Sequence, residues 1–187
     1  MKKKLSFIHA VNCILAFLLA VSPYLYPILV CFVCKPELPF TDTFLKQSIL
    51  LYFAVTVAIY IPNFIFAHLA PKFGISLTWL AFCCLVVKLV HIPLYVVSFL
   101  LAVLSIVSLF LFGGPIIAAI ILFMAYLPLL SSSAYGLSVL KVAKIAHRFD
   151  IHFMMKHTSR LYIFGLDILS AIHVYKKLIN CTLKASL

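Results

Sequence analysis

The hydrophobic residues of the chain form long apolar blocks that are separated by short polar connections. Apolar residues dominate positions 5–33 and 44–70, and then most of 75–140. Blocks of about 18 or more apolar residues are typical of membrane-spanning helices, because the hydrocarbon core of a bilayer is about 30 Å thick. The pattern predicts an all-α, polytopic membrane helix bundle that forms a single membrane domain over residues 1–187.

The stretch from Ile75 to Phe112 is too long for one straight span. A helix over these residues would extend about 57 Å at about 1.5 Å per residue. In one division, residues 75–88 form a short interfacial helix before a third span. In the other division, residues 75–93 cross the membrane and a fifth span results. The first division gives four transmembrane helices, at 5–33, 44–70, 89–112 and 116–140.

Charge decides between the two divisions. The net charge is +11, and the segment 141–187 carries eight of the basic residues. Four spans place this segment on the same side as Lys2–Lys4, Lys72 and Lys88, whereas five spans would place it outside. Because basic loops stay in the cytoplasm, we predict four spans in the plasma membrane with both termini cytoplasmic. The basic side should then contact the anionic lipid headgroups of the bilayer.

Composition excludes two other classes of protein. Hydrophobic residues make up 66% of the chain and charged residues 10%, which is far from the balance of a soluble domain of this size. The basic residues flank hydrophobic blocks and do not alternate with aromatic residues on a polar face, so no nucleic acid partner is predicted. The apolar run after Lys4 also extends well beyond the hydrophobic region of a cleavable signal, which indicates an uncleaved first span.

The last apolar stretch, Leu161 to Tyr175, is too short to cross a membrane. A polar stripe that includes Asp167, Ser170 and Lys177 lies opposite its apolar positions. We predict an amphipathic cytoplasmic helix, either on the inner membrane surface or packed on the cytoplasmic ends of the spans, since the spacing satisfies both. The partners expected for the Asp167 carboxylate are His173, Lys177 and Arg160.

Three ionisable residues within apolar segments are candidate functional groups: Lys88, His91 and Asp167. Lys88 and His91 are one helical turn apart, just before Pro93. Ionisable residues inside a membrane segment often mark functional sites. The simpler interpretation places Lys88 and His91 at the headgroup level, where the third span begins.

Cys31 and Cys34 form a CxxC motif at the outer end of the first span. An outward CxxC in a four-helix membrane protein resembles the quinone-linked disulfide-forming oxidoreductases of the vitamin K epoxide reductase type. The resemblance implies a redox role for this pair, but those families also need a second outer cysteine pair, and Gly113–Pro115 contains none. The alternative is that both cysteines are small apolar residues of the span.

The fourth span contains a small-residue pair, Ser132 and Gly136, four positions apart. This spacing favours close helix packing, and the alternative is a polar lining for a substrate path. Pro23 and Pro27 should kink the first span, which lipid tolerates when neighbours bind the freed carbonyls.

The sequence predicts no metal site and no cofactor. The spacing of four residues in the basic segment does not bring three of them to one helical face, so a solvated loop explains them: His147, Asp150, His152 and His157. No known catalytic motif occurs in the chain, so an enzyme is not the favoured class.

Three stretches carry a family likeness: Lys88–Pro93, Leu130–Gly136 and Ile163–Ala171. They are similar to small multi-spanning membrane proteins of Gram-positive (Firmicutes-type) bacteria, which have no established activity. Three functions remain open. The first is a non-enzymatic scaffold, accessory or immunity-type subunit that acts as a homo-oligomer or with a partner membrane subunit. The second is a small oligomeric transporter or permease subunit, and the third is a CxxC membrane thiol oxidoreductase.

Overall fold

A computed structural model describes residues 2–33, 42–108 and 114–184, and the regular structure in these ranges is helical. The helices are α1 (Lys2–Val33), α2 (Asp42–Val55), α3 (Ile61–Leu69), α4 (Leu77–Val90), α5 (Ile92–Ser108), α6 (Gly114–Ile145), α7 (Ile151–Arg160) and α8 (Leu166–Lys184). A π-helical turn at Thr56–Tyr60 joins α2 to α3, and a 3-10 turn at Ala70–Phe73 follows α3. The predicted all-α class is confirmed.

Three helical stretches are long and apolar enough to cross a membrane: Ser6–Leu25, Leu50–Phe73 and Ala118–Ile145. Helices α4 and α5 form a fourth candidate if they are counted as one span that bends by 41°. Three candidates overlap the predicted spans 5–33, 44–70 and 116–140. The bent pair combines the predicted interfacial helix with most of the predicted third span, 89–112, so the structure supports a helical bundle with three or four candidate membrane spans.

The break between α4 and α5 lies at His91, slightly later than the predicted boundary at Leu89. Pro93 explains the position, because proline has no N–H group to continue α4 but is tolerated in the first turn of a new helix, here α5. The predicted interfacial helix corresponds to α4, but this helix does not lie apart from the bundle. Its buried side chains, which include Leu80, Cys84 and Val87, pack against α1, α6 and α8.

Two proline residues free backbone carbonyls inside the bundle, and side chains from other helices bind them. Pro23 cannot donate to the carbonyl of Leu19, which is four residues earlier. Instead, His91 Nε2 lies 3.1 Å from the Leu19 oxygen, and the Ser22 hydroxyl donates to the same oxygen at 3.2 Å. An unpaired carbonyl in hydrocarbon costs several kcal/mol, so these contacts allow the proline within a span.

Pro128 creates the same situation in α6. It leaves the carbonyl of Met124 without its helical donor, and the Tyr52 hydroxyl donates to that oxygen at 2.8 Å. The contact crosses from α2 to α6 and so joins two candidate spans. The π-helical turn before Pro62 is a further local adjustment of the kind that accommodates proline in membrane helices.

Helix α6 is the centre of the bundle. Every residue from Ser131 to Leu140 is buried, in contact with a shell that includes α3, α4 and α7. Helix α5, in contrast, exposes most of its large apolar side chains, including Val96, Phe99, Leu100, Leu104 and Val107. An apolar surface of this extent is suited to lipid contact.

Several helix ends that carry basic residues lie together at one end of the bundle. The contacts Asn12–Cys83 and Leu19–His91 make α1 parallel to α4. The contacts Ser131–Tyr60 and Tyr135–Asn63 make α3 parallel to α6, and a short turn joins α3 to α4. The start of α1, the end of α3, the start of α4 and the end of α6 therefore share one end of the bundle. We call it the basic end, after its exposed residues Lys72, Lys141, Lys144 and Arg148.

Helices α7 and α8 form a C-terminal hairpin (Ile151–Lys184) that packs along the bundle. Helix α7 leaves the basic end beside α6, and α8 returns beside α4, where Tyr175 contacts Phe82 with ring centroids 6.1 Å apart. The predicted polar stripe of this segment faces inward, because Asp167 and Ser170 are buried together with Ala171, Val174 and Leu178. A helix lying flat on the membrane surface would instead expose these polar groups.

Candidate functional site

A buried ion pair joins α4 to the C-terminal hairpin. Lys88 Nζ lies 2.8 Å from Asp167 Oδ2, and neither side chain has any exposed surface. Lys88 also donates to the Ser133 hydroxyl at 3.0 Å, and that hydroxyl donates to the carbonyl of Leu161 at 2.6 Å. The structure thus brings two of the three predicted polar candidates into direct contact.

Lys88 and His91 are fully buried in the bundle, and their position at the headgroup level stays a prediction. The predicted partners of Asp167, in contrast, are wrong. Asp167 pairs with Lys88 rather than with a cation of its own segment. Lys177 is occupied elsewhere, because its ammonium lies 3.8 Å from the ring centroid of Phe153.

Local helix geometry favours both members of the pair. Asp167 lies in the first turn of α8 and Lys88 in the last turn of α4. The helix dipole stabilises a carboxylate at an N-terminus and a cation at a C-terminus. Gly165, with φ at +81°, supplies the left-handed residue that lets the chain turn into α8 just before Asp167.

The third candidate, His91, has a structural contact of its own. Its Nε2 must carry a proton to donate to the Leu19 carbonyl, since a carbonyl oxygen only accepts. His91 therefore supports the proline-containing turn of α1. The sequence pattern singled out His91 but gave no sign of this contact with residue 19.

Three polar atoms around the ion pair have no hydrogen-bond partner among the described residues. They are Asp167 Oδ1, His91 Nδ1 and the Tyr95 hydroxyl. The Tyr95 ring lies beside His91, with the two ring centroids 6.0 Å apart. Buried polar atoms are nearly always bonded to protein or water, so these three mark the places where the site retains binding capacity.

Two grooves flank the site without reaching the ion pair. One, of about 310 Å³, lies between α5, α6 and the turn of the hairpin, and its lining includes Tyr95, Phe99 and Phe164. The other, of about 160 Å³, has a lining that includes Pro23, Tyr60 and Pro128. Neither groove is lined by Lys88 or Asp167, so neither gives a ligand direct access to the pair.

The predicted packing pair, Ser132 and Gly136, faces α4 and the hairpin. A Cβ atom on Gly136 would lie 2.9 Å from Leu161 Cδ1 and 3.3 Å from Cys84 Sγ. The Ser132 hydroxyl donates to the carbonyl of Leu129 in its own helix at 3.0 Å. The close approach at Gly136 is therefore made within this chain.

Cysteine chemistry remains a prediction. Cys31 lies in α1, but its side chain and all of Cys34 fall outside the described residues. Cys83 and Cys84 are free thiols that are buried beside α1 and α6. Their position makes them packing residues in this fold.

His157 is a buried polar residue that the sequence had suggested would lie in a solvated loop. Its Nδ1 lies 2.9 Å from the Ser170 hydroxyl, which ties α7 to α8. Burial, followed by the neighbouring His173, lowers the pKa of His157 to about 4. Within the described ranges, no group of three His, Cys, Asp or Glu side chains could hold a metal ion.

No protein-family model matches the chain, and no match occurs among curated proteins or solved structures. A function must therefore be inferred from the contacts of the chain itself.

Proposed function

We propose that the chain is a non-enzymatic accessory subunit of the plasma membrane, of the scaffold or immunity type, with both termini cytoplasmic. The closed Lys88–Asp167 pair carries this proposal. A catalytic or transport group must be able to meet its substrate, whereas Lys88 has no exposed surface and already contacts both Asp167 and Ser133. The pair is suited to holding one part of the chain against another.

The part that the pair holds is the C-terminal hairpin. Asp167 anchors the first turn of α8 to α4, and the Ser133–Leu161 hydrogen bond anchors the turn before α8 to α6. The outer surface of the hairpin keeps its cations exposed, among them Lys156 and Lys176. A docked basic hairpin of this kind fits the anionic headgroups of the inner leaflet or a partner membrane subunit.

The proposal is tested by replacing the pair in the full-length protein in mild detergent. Lys88→Met and Asp167→Leu should each lower the melting temperature, because an unpaired buried charge costs about 3–5 kcal/mol. The double variant should recover most of the loss, since two apolar side chains leave no unpaired charge. Lys72→Met, at an exposed cation of the basic end, is the matched control and should have little effect.

Two results would contradict the accessory role. The first is a particle whose mass in mild detergent is that of a monomer and with which no partner co-purifies. The second is a stable double variant that has lost the cellular phenotype of the wild-type chain, because stability would then not explain why the charges are needed.

A small transporter or permease subunit that works as an oligomer is the second candidate. The unpaired atoms Asp167 Oδ1, His91 Nδ1 and Tyr95 hydroxyl favour it, because they could pass a proton or bind a polar solute. Tyr95→Phe separates the two candidates. It should leave both stability and phenotype unchanged for an accessory subunit, and it should impair flux for a transporter.

A further inference from the structure

The turn between α7 and α8 reaches deep along the central helix. The carbonyl of Tyr162 accepts a hydrogen bond from the Tyr126 hydroxyl of α6 at 3.2 Å. The Phe164 ring lies 5.8 Å from the Tyr126 ring and 5.1 Å from the Tyr95 ring of α5, measured between centroids. We call residues 161–169 the hairpin tip.

The position of Tyr126 along α6 gives the depth of this tip. A hydrocarbon core of about 30 Å covers about 20 residues of a helix at about 1.5 Å per residue. Helix α6 has 32 residues, from Gly114 to Ile145. Every window of about 20 residues within those limits contains positions 126–133. Tyr126 and Ser133 therefore lie at hydrocarbon depth wherever the membrane boundary falls on α6.

Part of the tip backbone is satisfied in the way that membrane depth requires. Non-helical backbone is tolerated in the hydrocarbon region only where other groups bind its polar atoms. Where α7 ends, two successive carbonyls accept hydrogen bonds from hydroxyls of α6, Leu161 from Ser133 and Tyr162 from Tyr126. The amide of Asp167 donates to the carbonyl of Ile163 at 3.0 Å.

The surface of the tip is apolar. Ile163, Phe164, Leu166 and Leu169 expose between 38% and 53% of their surface. The only charged residue of the tip is Asp167, and Lys88 neutralises it inside the bundle. The exposed patch continues across the groove of about 310 Å³ into Val96, Phe99 and Leu100 of α5.

We infer that the hairpin tip is a re-entrant element that enters the bilayer from the basic end and contacts lipid acyl chains. Acyl chains are the occupant that fits, because the patch is continuous with the apolar outer face of α5. Lys176, Lys177 and Lys184 of α8 lie toward the basic end, where they stay near the headgroups. Arg160 directly precedes the tip, and its long side chain can extend from there toward the headgroups. This inference concerns lipid contact and does not depend on the accessory role.

Tryptophan quenching tests the inference in liposomes of phosphatidylcholine with brominated acyl chains. The chain has a single tryptophan, Trp79, so Trp79→Phe gives a silent background. In that background, Phe164→Trp and, independently, Leu169→Trp place a reporter on the tip. Ile151→Trp, at an exposed position where α7 begins, is the matched control near the basic end.

The tip reporters should show blue-shifted emission, strong loss of intensity with brominated lipid, and protection from aqueous iodide. The Ile151→Trp reporter should be quenched more by iodide and less by bromine. Quenching of both tip reporters by iodide would overturn the inference, because the tip would then lie in water. Protection of both from bromine and iodide would also overturn it, because protein would then cover the tip. If one tip variant fails to insert, the other gives the same readout.

Discussion

Individual side chains in this protein bind the backbone carbonyls that proline residues leave without a helical donor. His91 and Ser22 bind the carbonyl freed by Pro23, and the Tyr52 hydroxyl binds the one freed by Pro128. In a soluble protein water could fill this role, but lipid offers no donor. A polar residue in an apolar block can therefore be required by a proline far away in the sequence.

A double-mutant cycle tests the contact between His91 and Leu19. His91→Ala should reduce the free energy of unfolding by about 1–2 kcal/mol, because a buried carbonyl loses a donor. In a Pro23→Ala background, which restores an amide donor four residues after Leu19, the same change should have a smaller effect. Unfolding of the detergent-solubilised protein by a denaturing detergent measures both values.

His68→Ala is the control for this cycle, since His68 Nδ1 contacts a carbonyl of its own helix, that of Phe64, at 2.9 Å. Its effect should be the same with or without Pro23→Ala. Equal losses for His91→Ala in both backgrounds would show that the histidine does not replace the missing proline donor.

Among the elements, the C-terminal hairpin shows how packing assigns polar residues to opposite roles. Asp167 and Ser170 face inward because each meets a polar partner, Lys88 or His157. The cations Lys156 and Lys176 remain on the outer surface. The inner face of α8 thus contains both polar and apolar residues, and the periodicity of the sequence does not show whether its polar residues are buried or solvated.

Acid should weaken the docking of this hairpin. The pKa of His157 is about 4 in the folded protein, against an ordinary value of 6.5, because burial and the nearby His173 disfavour the cation. The undocked form therefore takes up the proton first. Stability from the neutral His157 is complete above about pH 6.5 and is lost as the pH falls toward 4. The emission of Trp79, which lies in a groove with Phe82 and Tyr175, reports undocking of α8.

Two variants make the pH prediction specific. His157→Gln should flatten the dependence of docking between about pH 6.5 and 4, since the titrating group is removed. His152→Gln, at an exposed histidine of the same helix, should leave the dependence unchanged. The cations that face His157, Lys156, Arg160 and Lys177, stay charged throughout this range. An unchanged profile for His157→Gln would assign the transition to another group.

At the scale of the whole molecule, the basic end determines the expected orientation. The cations at the ends of α3 and α6 lie together with the start of α1. Moving so many charges through hydrocarbon is unfavourable, at about 2.5–3.5 kcal/mol for each one at the membrane centre on insertion scales. We therefore expect this end to remain in the cytoplasm.

Topology reporters test the orientation directly. Reporters fused before Met1 and after Leu187 should both be active only on the cytoplasmic side, and one inserted at Pro115 should be active outside. A reporter after Leu187 that faces the exterior would reverse the proposed sidedness of the basic end. Because the three fusions are independent, a defect in one of them does not affect the other two.

Much of this architecture could be predicted because span length and apolarity are local properties. The first predicted span, 5–33, corresponds to α1 at Lys2–Val33, and the fourth, 116–140, lies within α6 at Gly114–Ile145. Lys88 and Asp167 could be identified as unusual for the same reason, since a charge inside an apolar block is visible without a structure. The sequence alone therefore determined the helical class, the long apolar helices and the exceptional polar residues, but not α7, whose residues it assigned to a solvated loop.

Only the tertiary structure decided what those residues contact. Lys88 and Asp167 are 79 positions apart, and Leu19 and His91 are 72 apart. Helical periodicity relates residues within a few turns, so it favoured partners for Asp167 on its own segment. The path of the hairpin along α6 also depends on distant contacts, because the hydroxyls of Ser133 and Tyr126 must bind the carbonyls where α7 ends. The docking of the basic C-terminal segment as a hairpin therefore depends on long-range packing, which the local sequence pattern does not show.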